Sequence, residues 1–411
     1  MNTLNFNIKI VFVLYSLLFS FIGNAQQLDV FINEALRNSP EIQKFELQYK
    51  IASEKVNEVN TLPNTELGIG YFISEPETRT GAQQFKISAK QMIPWFGSIT
   101  ARENYVNALA DAKYEDIAIA KRKLAAAVSQ SYYDLYALKA KQQVLAKNIA
   151  LLETYETLAL TYVETGKASA VDVLRLQIRQ NELEQSRQVL TQFYEAEQTK
   201  FNKLLNRNKS TKVIVIDKLI IPAKNSLPNT ENLVLHPELI KYDRLFQSVE
   251  QSELLNQKDK KPMIGFGLDY IAVNERPDMN FSDNGKDVIM PMVSLSIPIF
   301  NKKNKSQTTQ NNLRLQEVAY QKQERQNILE TALDKANHKR IAARISYNTQ
   351  AKNLKQAKDA EEILIKSYET GVIDFNDVLD IQELQLKFEI NQIESVLSFY
   401  TETIIINYLT N

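Results

Sequence analysis

Glu164-Thr165-Gly166, followed by Asp172-Val173-Leu174 and Gln177, is written a second time as Glu369-Thr370-Gly371, followed by Asp377-Val378-Leu379 and Gln382. The interval between the two glycines equals the interval between the two aspartates and spans about half of the chain. One offset shared by a whole set of positions marks an internal duplication in which each copy is a supersecondary unit.

Each copy has the chemistry of a helix-to-helix turn. A long run without Gly or Pro leads into each glycine, and glycine just past a helix end takes the left-handed conformation that other residues resist. Helices are therefore expected to stop at Gly166 and Gly371. A short polar residue comes next, Ser169 or Asp374, with Asp172 or Asp377 three positions on. That spacing resembles a capping box, which restarts a helix and sets negative charge at its positive end. Each copy reads as a hairpin of two helices with a charged tip.

Outward from the first tip, Ser98 to Thr165 holds neither Gly nor Pro, and Ile117, Leu124, Leu138, Leu145 and Leu152 fall on one seven-residue repeat. Such a helix would be about 100 Å long, too long for a compact globule. Its dense alanines (Ala125 to Ala127, Ala137, Ala140) suit close, coiled-coil-like packing. The helix after Gly166 is expected from about Ser169 to Leu205. In the second half, helices are expected from about Lys303 to Glu369 and from Asn376 to Leu409.

Ahead of each long helix the period changes from that of a helix to that of a strand. Leu67, Ile69, Tyr71 and Ile73 alternate with Gly68, Gly70 and Phe72; after a polar loop, Phe85, Ile87 and Ala89 alternate with Gln84, Lys86, Ser88 and Lys90. These are two strands of a hairpin. The same order returns at Met263 to Ala272 and Val288 to Ile297, and both hairpins leave through Ile-Pro, at Ile93-Pro94-Trp95-Phe96-Gly97 and Ile297-Pro298-Ile299-Phe300. The opening helices match too: Asn38-Ser39-Pro40-Glu41-Ile42 is echoed by Leu235-His236-Pro237-Glu238-Leu239. The organisation expected is a segment 1–25, a first repeat 26–212, a connecting segment 213–228 containing Pro222 and Pro228, and a second repeat 229–411.

Residues 1–25 follow another logic. Lys9 precedes an apolar run from Ile10 to Ile22, and Gly23-Asn24-Ala25 offers small residues where a signal peptidase reads. A cleaved secretory signal is expected, with Gln26 opening the mature chain. The run is short for a membrane-spanning helix of about 20 residues. The chain has no cysteine, so a lipoprotein, disulfides, thiolate metal sites and a cysteine nucleophile are all excluded. No second apolar run of spanning length occurs, so any membrane crossing must be made by strands.

Helix, strand hairpin, very long helix, tight turn, helix, and the same again: this order resembles the TolC family of bacterial outer-membrane efflux ducts. The residues that carry the resemblance are the doubled Gly-x5-Asp-Val turns, the two Ile-Pro exits and the Asn-Ser-Pro-Glu opening. The fold class it implies is mostly α with a membrane β-barrel contribution: a homotrimer pools four strands per subunit into one twelve-stranded barrel, and duplicated helical hairpins form a periplasmic tunnel. Elementary physics points the same way in part. Strands with one apolar face cannot leave an open edge in lipid, so several chains must close the barrel together. The apolar faces would meet lipid, and Lys86, Ser88, Lys90, Ser294 and Ser296 would face a wet lumen.

The resemblance places a tunnel-entrance constriction at Asp377 and Asp380, and tip-closing contacts at Tyr368 and Asp172, with Gly166 and Gly371 as the turn glycines. Ile373 stands where the best-known member has an arginine, which removes one closing link. Asp172 and Asp377 also have a plain structural use as helix caps, and for Asp172 that use is favoured. The implied partners are a periplasmic adaptor (membrane fusion protein), an inner-membrane pump such as one of the RND type, and outer-membrane lipid. The Pro94-Trp95-Phe96-Gly97 exit resembles members that accompany heavy-metal efflux pumps.

Chemistry of other kinds finds no support. Basic and acidic residues balance at 49 each, so no overall field favours nucleic acid. Two histidines, His236 and His338, cannot form a cluster, and His236 before Pro237 reads as a turn or core residue. Met290 and Met292 read as packing rather than as metal ligands. Lys258-Asp259-Lys260-Lys261 reads as a solvated edge. Gly265-Phe266-Gly267 lacks the third glycine and following helix of a nucleotide loop. No enzyme, cofactor or metal site is expected. The alternatives are a periplasmic adaptor, a coiled-coil scaffold and a type I protein-secretion duct. The first two would lack the duplication or the strand pairs.

Overall fold

The computed structural model describes residues 23–166, 169–223, 230–278, 280–300, 302–370, 372–373 and 375–411. Most of the expected signal segment, together with Gly371 and Asp374, lies outside the described residues. The chain divides into two compact units. A helical unit comprises Met1–Gln43, Ala118–His236 and Asn327–Asn411; a sheet unit comprises Lys44–Ile117 and Pro237–Gln326. Each unit thus draws on both halves of the sequence.

The elements follow the punctuation of the sequence. Helix α1 (Gly23–Asn38) gives way at Ser39 to α2 (Pro40–Val59). The Ser39 side chain accepts from the Ile42 backbone N–H at 3.4 Å, and Pro40 occupies the first helical position, where its missing N–H costs nothing. Strands β1 (Glu66–Tyr71), β2 (Glu77–Thr78) and β3 (Gly81–Ile93) follow, then α3 (Ser98–Glu164) and α4 (Ala170–Leu204). After a short 3-10 turn at Thr230–Leu235 come α5 (Pro237–Asp259), β4 (Met263–Val273), β5 (Val288–Ser296), α6 (Lys302–Glu369) and α7 (Phe375–Thr410). Strand β2 was not expected: at two residues it is too short to show alternation, and it forms only by pairing Glu77 and Thr78 with Ala82 and Gly81 of β3.

In the sheet unit all pairings are antiparallel, in the order β1-β3-β4-β5, with β2 beside β3. The central β3–β4 pair joins the two hairpins. Partners in register project to the same face, so Ile69, Ile87, Tyr270 and Ile289 form one row, and Leu67, Ala89, Leu268 and Pro291 the next. This face is apolar and turned outward: Leu67, Ile69 and Tyr71 of β1 and Ile289 and Val293 of β5 are each at least two-thirds exposed. The opposite face carries Lys86, Ser88, Lys90, Ser294 and Ser296, as the alternation implies, and on it Asp269 is fully buried and ion-paired with Lys86.

The helices of the sheet unit are tied by polar contacts. Glu253 on α5 accepts from Thr308 and Asn311 on α6, both at 2.9 Å. Asn256 donates to the Asn304 carbonyl at 3.0 Å, and Lys241 pairs with Asp116 at 2.6 Å. Lys258 turns its ammonium onto the Phe96 carbonyl at 3.3 Å.

Of the heptad residues, Ile117, Leu145 and Leu152 are buried, while Leu124 and Leu138 are half-buried. Leu145 and Leu152 of α3 are in one core cluster with Leu176 and Leu183 of α4 and with Val378 and Leu386 of α7. The connecting segment is an extended strap over residues 211–223. It forms no sheet, so its polar backbone groups need other partners. Tyrosines supply them: Ile216 and Leu219 donate backbone N–H groups to the hydroxyls of Tyr132 (3.2 Å) and Tyr136 (3.1 Å), while Tyr194 and Tyr400 donate to the carbonyls of Val213 (3.1 Å) and Ile220 (2.8 Å). Burial pushes the Tyr132 and Tyr136 hydroxyls up in pKa, so they stay protonated. His236 is fully buried and packs edge-on against Tyr408 with ring centroids 5.2 Å apart.

Candidate functional site: the hairpin tip

The tip is built where α3 ends, α4 begins, α6 ends and α7 begins. Gly166 adopts φ +72°, and its N–H donates back to the Val163 carbonyl at 3.0 Å. A Cβ there would meet open space, so what requires glycine is the left-handed backbone and not crowding. Ser169 then caps α4: its side chain accepts from the Val171 N–H at 3.2 Å, and the Asp172 carboxylate accepts from the Ser169 N–H at 3.3 Å. Asp172 is buried and serves as the N3 member of that capping box.

Tyr368 is buried between aromatic rings. It lies edge-on to Phe375 at 4.8 Å and to Tyr162 at 5.5 Å. Ile373 packs against the same cluster. Asp377 in the first turn of α7 is exposed, and so is Asp380. Val378, between them in sequence, is fully buried. The helical period explains this split: Phe375, Val378 and Gln382 point inward, while Asp377 and Asp380 point to water.

Asp380 lines an open cleft of about 260 Å³ together with Arg175, Arg179, Asn376 and Glu383. Arg175 hydrogen-bonds Asn376 across the cleft and lies 3.9 Å from Asp172. Arg179 pairs with Glu182 at 2.9 Å and reaches Glu383 at 3.7 Å. Sequence reasoning missed both arginines. Their i,i+4 spacing on one face of α4, opposite an acidic face of α7, was the available signal. The local field at Asp380 is therefore mixed, whereas Asp377 carries no ion pair among the described contacts.

A polar knot lies deeper in the same bundle. The Glu361 carboxylate of α6 accepts from the Tyr155 hydroxyl of α3 at 2.6 Å, from Gln385 of α7 at 2.7 Å, and from Gln382. Burial, and then the neighbouring Glu361 carboxylate, push the Tyr155 hydroxyl above the usual phenol range and keep it a donor. The first copy repeats the arrangement at the same offset: Gln177 and Gln180 donate to Glu156 at 2.7 and 2.9 Å.

A duplicated helical hairpin set with a small antiparallel sheet bearing an outward apolar face defines a channel-type fold, and the comparisons agree. The chain aligns over 94% of its length with the outer membrane protein VceC from Vibrio cholerae (15% identity, 96% of that chain, TM-score 0.73) and with CusC (14% identity, 92% of that chain, TM-score 0.76). It also aligns over 93% of its length with the MtrE outer membrane channel of Neisseria gonorrhoeae (16% identity, 88% of that chain, TM-score 0.72). No curated protein matches the sequence. Residues 31–206 match the model of the outer membrane efflux protein family.

Proposed function

We propose that the protein is the outer-membrane duct of a tripartite efflux system, carrying small molecules or ions from the periplasm to the exterior, and that it is not an enzyme. The observation that carries this reading is the inverted sheet. Its large apolar side chains point outward while a carboxylate is buried on the other face, an arrangement suited to lipid on one side and a wet lumen on the other. Strands β1 and β5 each leave one edge unpaired within the chain. Unsatisfied backbone groups in hydrocarbon cost several kcal/mol each, so copies must join edge to edge. Family resemblance supports three copies, four main strands from each and twelve in the barrel.

In this reading a periplasmic adaptor docks on the hairpin tips, and an inner-membrane pump, for instance of the RND type, delivers the substrate. Asp377 and Asp380 line the entrance of the tunnel, six carboxylates in a trimer. Tyr368 holds the turn from within, Asp172 sets the direction of α4, and Gly166 and Gly371 shape the two turns. The Pro94-Trp95-Phe96-Gly97 exit, which resembles members that accompany heavy-metal efflux pumps, favours metal ions among the substrates.

The test is the mass of the protein in mild detergent together with conductance in a planar bilayer. A trimer that forms ion-conducting pores is expected. A well-folded monomer that forms none would overturn the duct.

A further inference from the structure

We propose that the end of the sheet from which the long helices leave carries a binding surface for anionic phospholipid headgroups, formed by lysines of α5 and α6 beside the aromatic exit of β3. It rests on the duct reading in that it names a lipid partner for that duct. The starting observation is an imbalance of charge. The whole chain has 49 basic and 49 acidic residues. Residues 258–261 and 302–305 nevertheless hold Lys258, Lys260, Lys261, Lys302, Lys303 and Lys305 against Asp259 alone.

The fold brings the two stretches together. Asn256 donates to the Asn304 carbonyl at 3.0 Å and accepts from the Asn304 side chain at 3.1 Å, and Thr308 donates to Glu253. The end of α5 and the start of α6 therefore lie side by side. Among the described residues none of the six lysines is paired with a carboxylate: Lys258 donates to the Phe96 carbonyl, Lys260 donates to Gln257 at 3.0 Å, and Asp259 lies 4.0 Å from Arg102. Lys302, Lys303 and Lys305 open α6, whose first turn holds no acidic residue, and positive charge is disfavoured at that end of a helix. Like charges gathered without a counter-charge favour an anion from outside the chain.

What lies beside the lysines selects the anion. Ile93, Ile264 and Leu295 are in register and end the outward apolar face. Beyond that row β3 continues into Trp95-Phe96 and β5 into Ile299-Phe300, and Phe96, Ile299 and Phe300 are each more than three-quarters exposed. The β3 exit is a fixed turn. Ser98 donates to the Trp95 carbonyl at 3.0 Å, Gly97 takes φ +77°, and the Trp95 and Phe96 rings stand edge-on with centroids 6.0 Å apart. The Lys258 ammonium lies 3.1 Å from the position a Cβ would take on Gly97, so cation and aromatic pair are held side by side.

Apolar row, aromatic pair and lysine cluster follow one another in the order of a lipid's acyl chains, interface and headgroup. A soluble anion would use the lysines and leave the exposed aromatic side chains uncovered. The continuity of those side chains with the outward apolar face favours a lipid instead. Both long helices, α3 and α6, start at this end of the sheet, so in a duct the leaflet concerned is the periplasmic one. Read alone, Lys258 to Lys261 is a solvated edge. The second lysine stretch and the aromatic exit, both distant in sequence, turn that edge into a headgroup surface.

Trp95 is the only tryptophan of the chain, so its fluorescence reports on this surface alone. The experiment reconstitutes the full-length protein in phosphatidylcholine vesicles and adds brominated phosphatidylglycerol or brominated phosphatidylcholine, whose bromine atoms quench tryptophan on contact. In the parent the anionic quencher should act at a mole fraction at least roughly fivefold lower, the gain that one lysine near an anionic surface supplies. K260Q/K261Q/K302Q/K303Q should lose that preference, and K209Q/K212Q, in the helical unit, should keep it. Equal quenching by the two lipids in the parent, a preference that survives K260Q/K261Q/K302Q/K303Q, or one that inorganic phosphate abolishes at constant ionic strength overturns the surface. Potassium conductance of the same vesicles separates the two readings. Pores with equal quenching defeat the headgroup surface alone, whereas preferential quenching without pores defeats the duct and leaves a lipid-binding surface.

Discussion

The sheet and the hairpin tip are inside-out copies of each other's chemistry. On the sheet, Ile69 is 82% exposed while Asp269 is fully buried; at the tip, Val378 is fully buried while Asp377 and Asp380 are exposed. Both regions come from amphipathic patterns, period 2 in one and period 3.6 in the other. What differs is the medium that each pattern is fitted to. An apolar face turned outward costs solubility in water but is the stable choice against hydrocarbon. In the proposed duct, the comparison places lipid against one region and water against the other.

The sharpest way to break it is to give the sheet the surface that the tip has. Replacing Val293 by Lys on the outward face of β5 should cost about 2–4 kcal/mol at the bilayer midplane, and should cost nothing comparable if that face meets water. The expected result is loss of assembled protein from the outer-membrane fraction, read by fractionation and by mass in detergent. Normal assembly of the variant would remove lipid from the account.

A smaller effect is expected from the polar knot, where the tip bundle departs from an apolar interior. Glu361→Ala strips an acceptor from Tyr155, Gln382 and Gln385; Gln382 and Gln385 keep partners in the Tyr155 hydroxyl and the Ala357 carbonyl, which leaves the Tyr155 hydroxyl unsatisfied at about 1–3 kcal/mol. Thermal unfolding should fall clearly below that of the parent, and Tyr155→Phe, which removes one donor to Glu361 and one acceptor of Gln382, should lie between the two. An unchanged midpoint for Glu361→Ala would mean that water replaces the carboxylate and that the knot is not closed.

The smallest change in stability belongs to the exposed carboxylates. Asp377→Ala with Asp380→Ala should barely alter folding, since charges about 10 Å apart repel by only about 0.4 kcal/mol in water. Its effect should appear in function: block of single-channel current by a trivalent cation is expected in the parent and weakened in the double variant. Because Arg175 and Arg179 border Asp380 but not Asp377, Asp377→Ala alone should account for most of that weakening. Equal block in all of them would place the constriction elsewhere.

Much of this was legible in the sequence because its information is local. Gly166 stops a helix by its own backbone freedom, Ser169 and Asp172 cap the next one three residues apart, and the alternation from Leu67 to Ile73 and from Gln84 to Lys90 assigns faces within a strand without any knowledge of its neighbour. The two Ile-Pro exits and the helical runs free of Gly and Pro fix the order of elements for the same reason. What only the tertiary structure decided are the relations between segments far apart in the chain. Packing of α5 on α6 gathers two lysine-rich stretches at one end of the sheet; packing of α4 on α7 brings Arg175 and Arg179 to Asp380; and the strap over residues 211–223 finds its backbone partners in tyrosines of α3, α4 and α7. Periodicity tells each residue which way to face, but which residue it faces depends on long-range pairing, which no local pattern encodes.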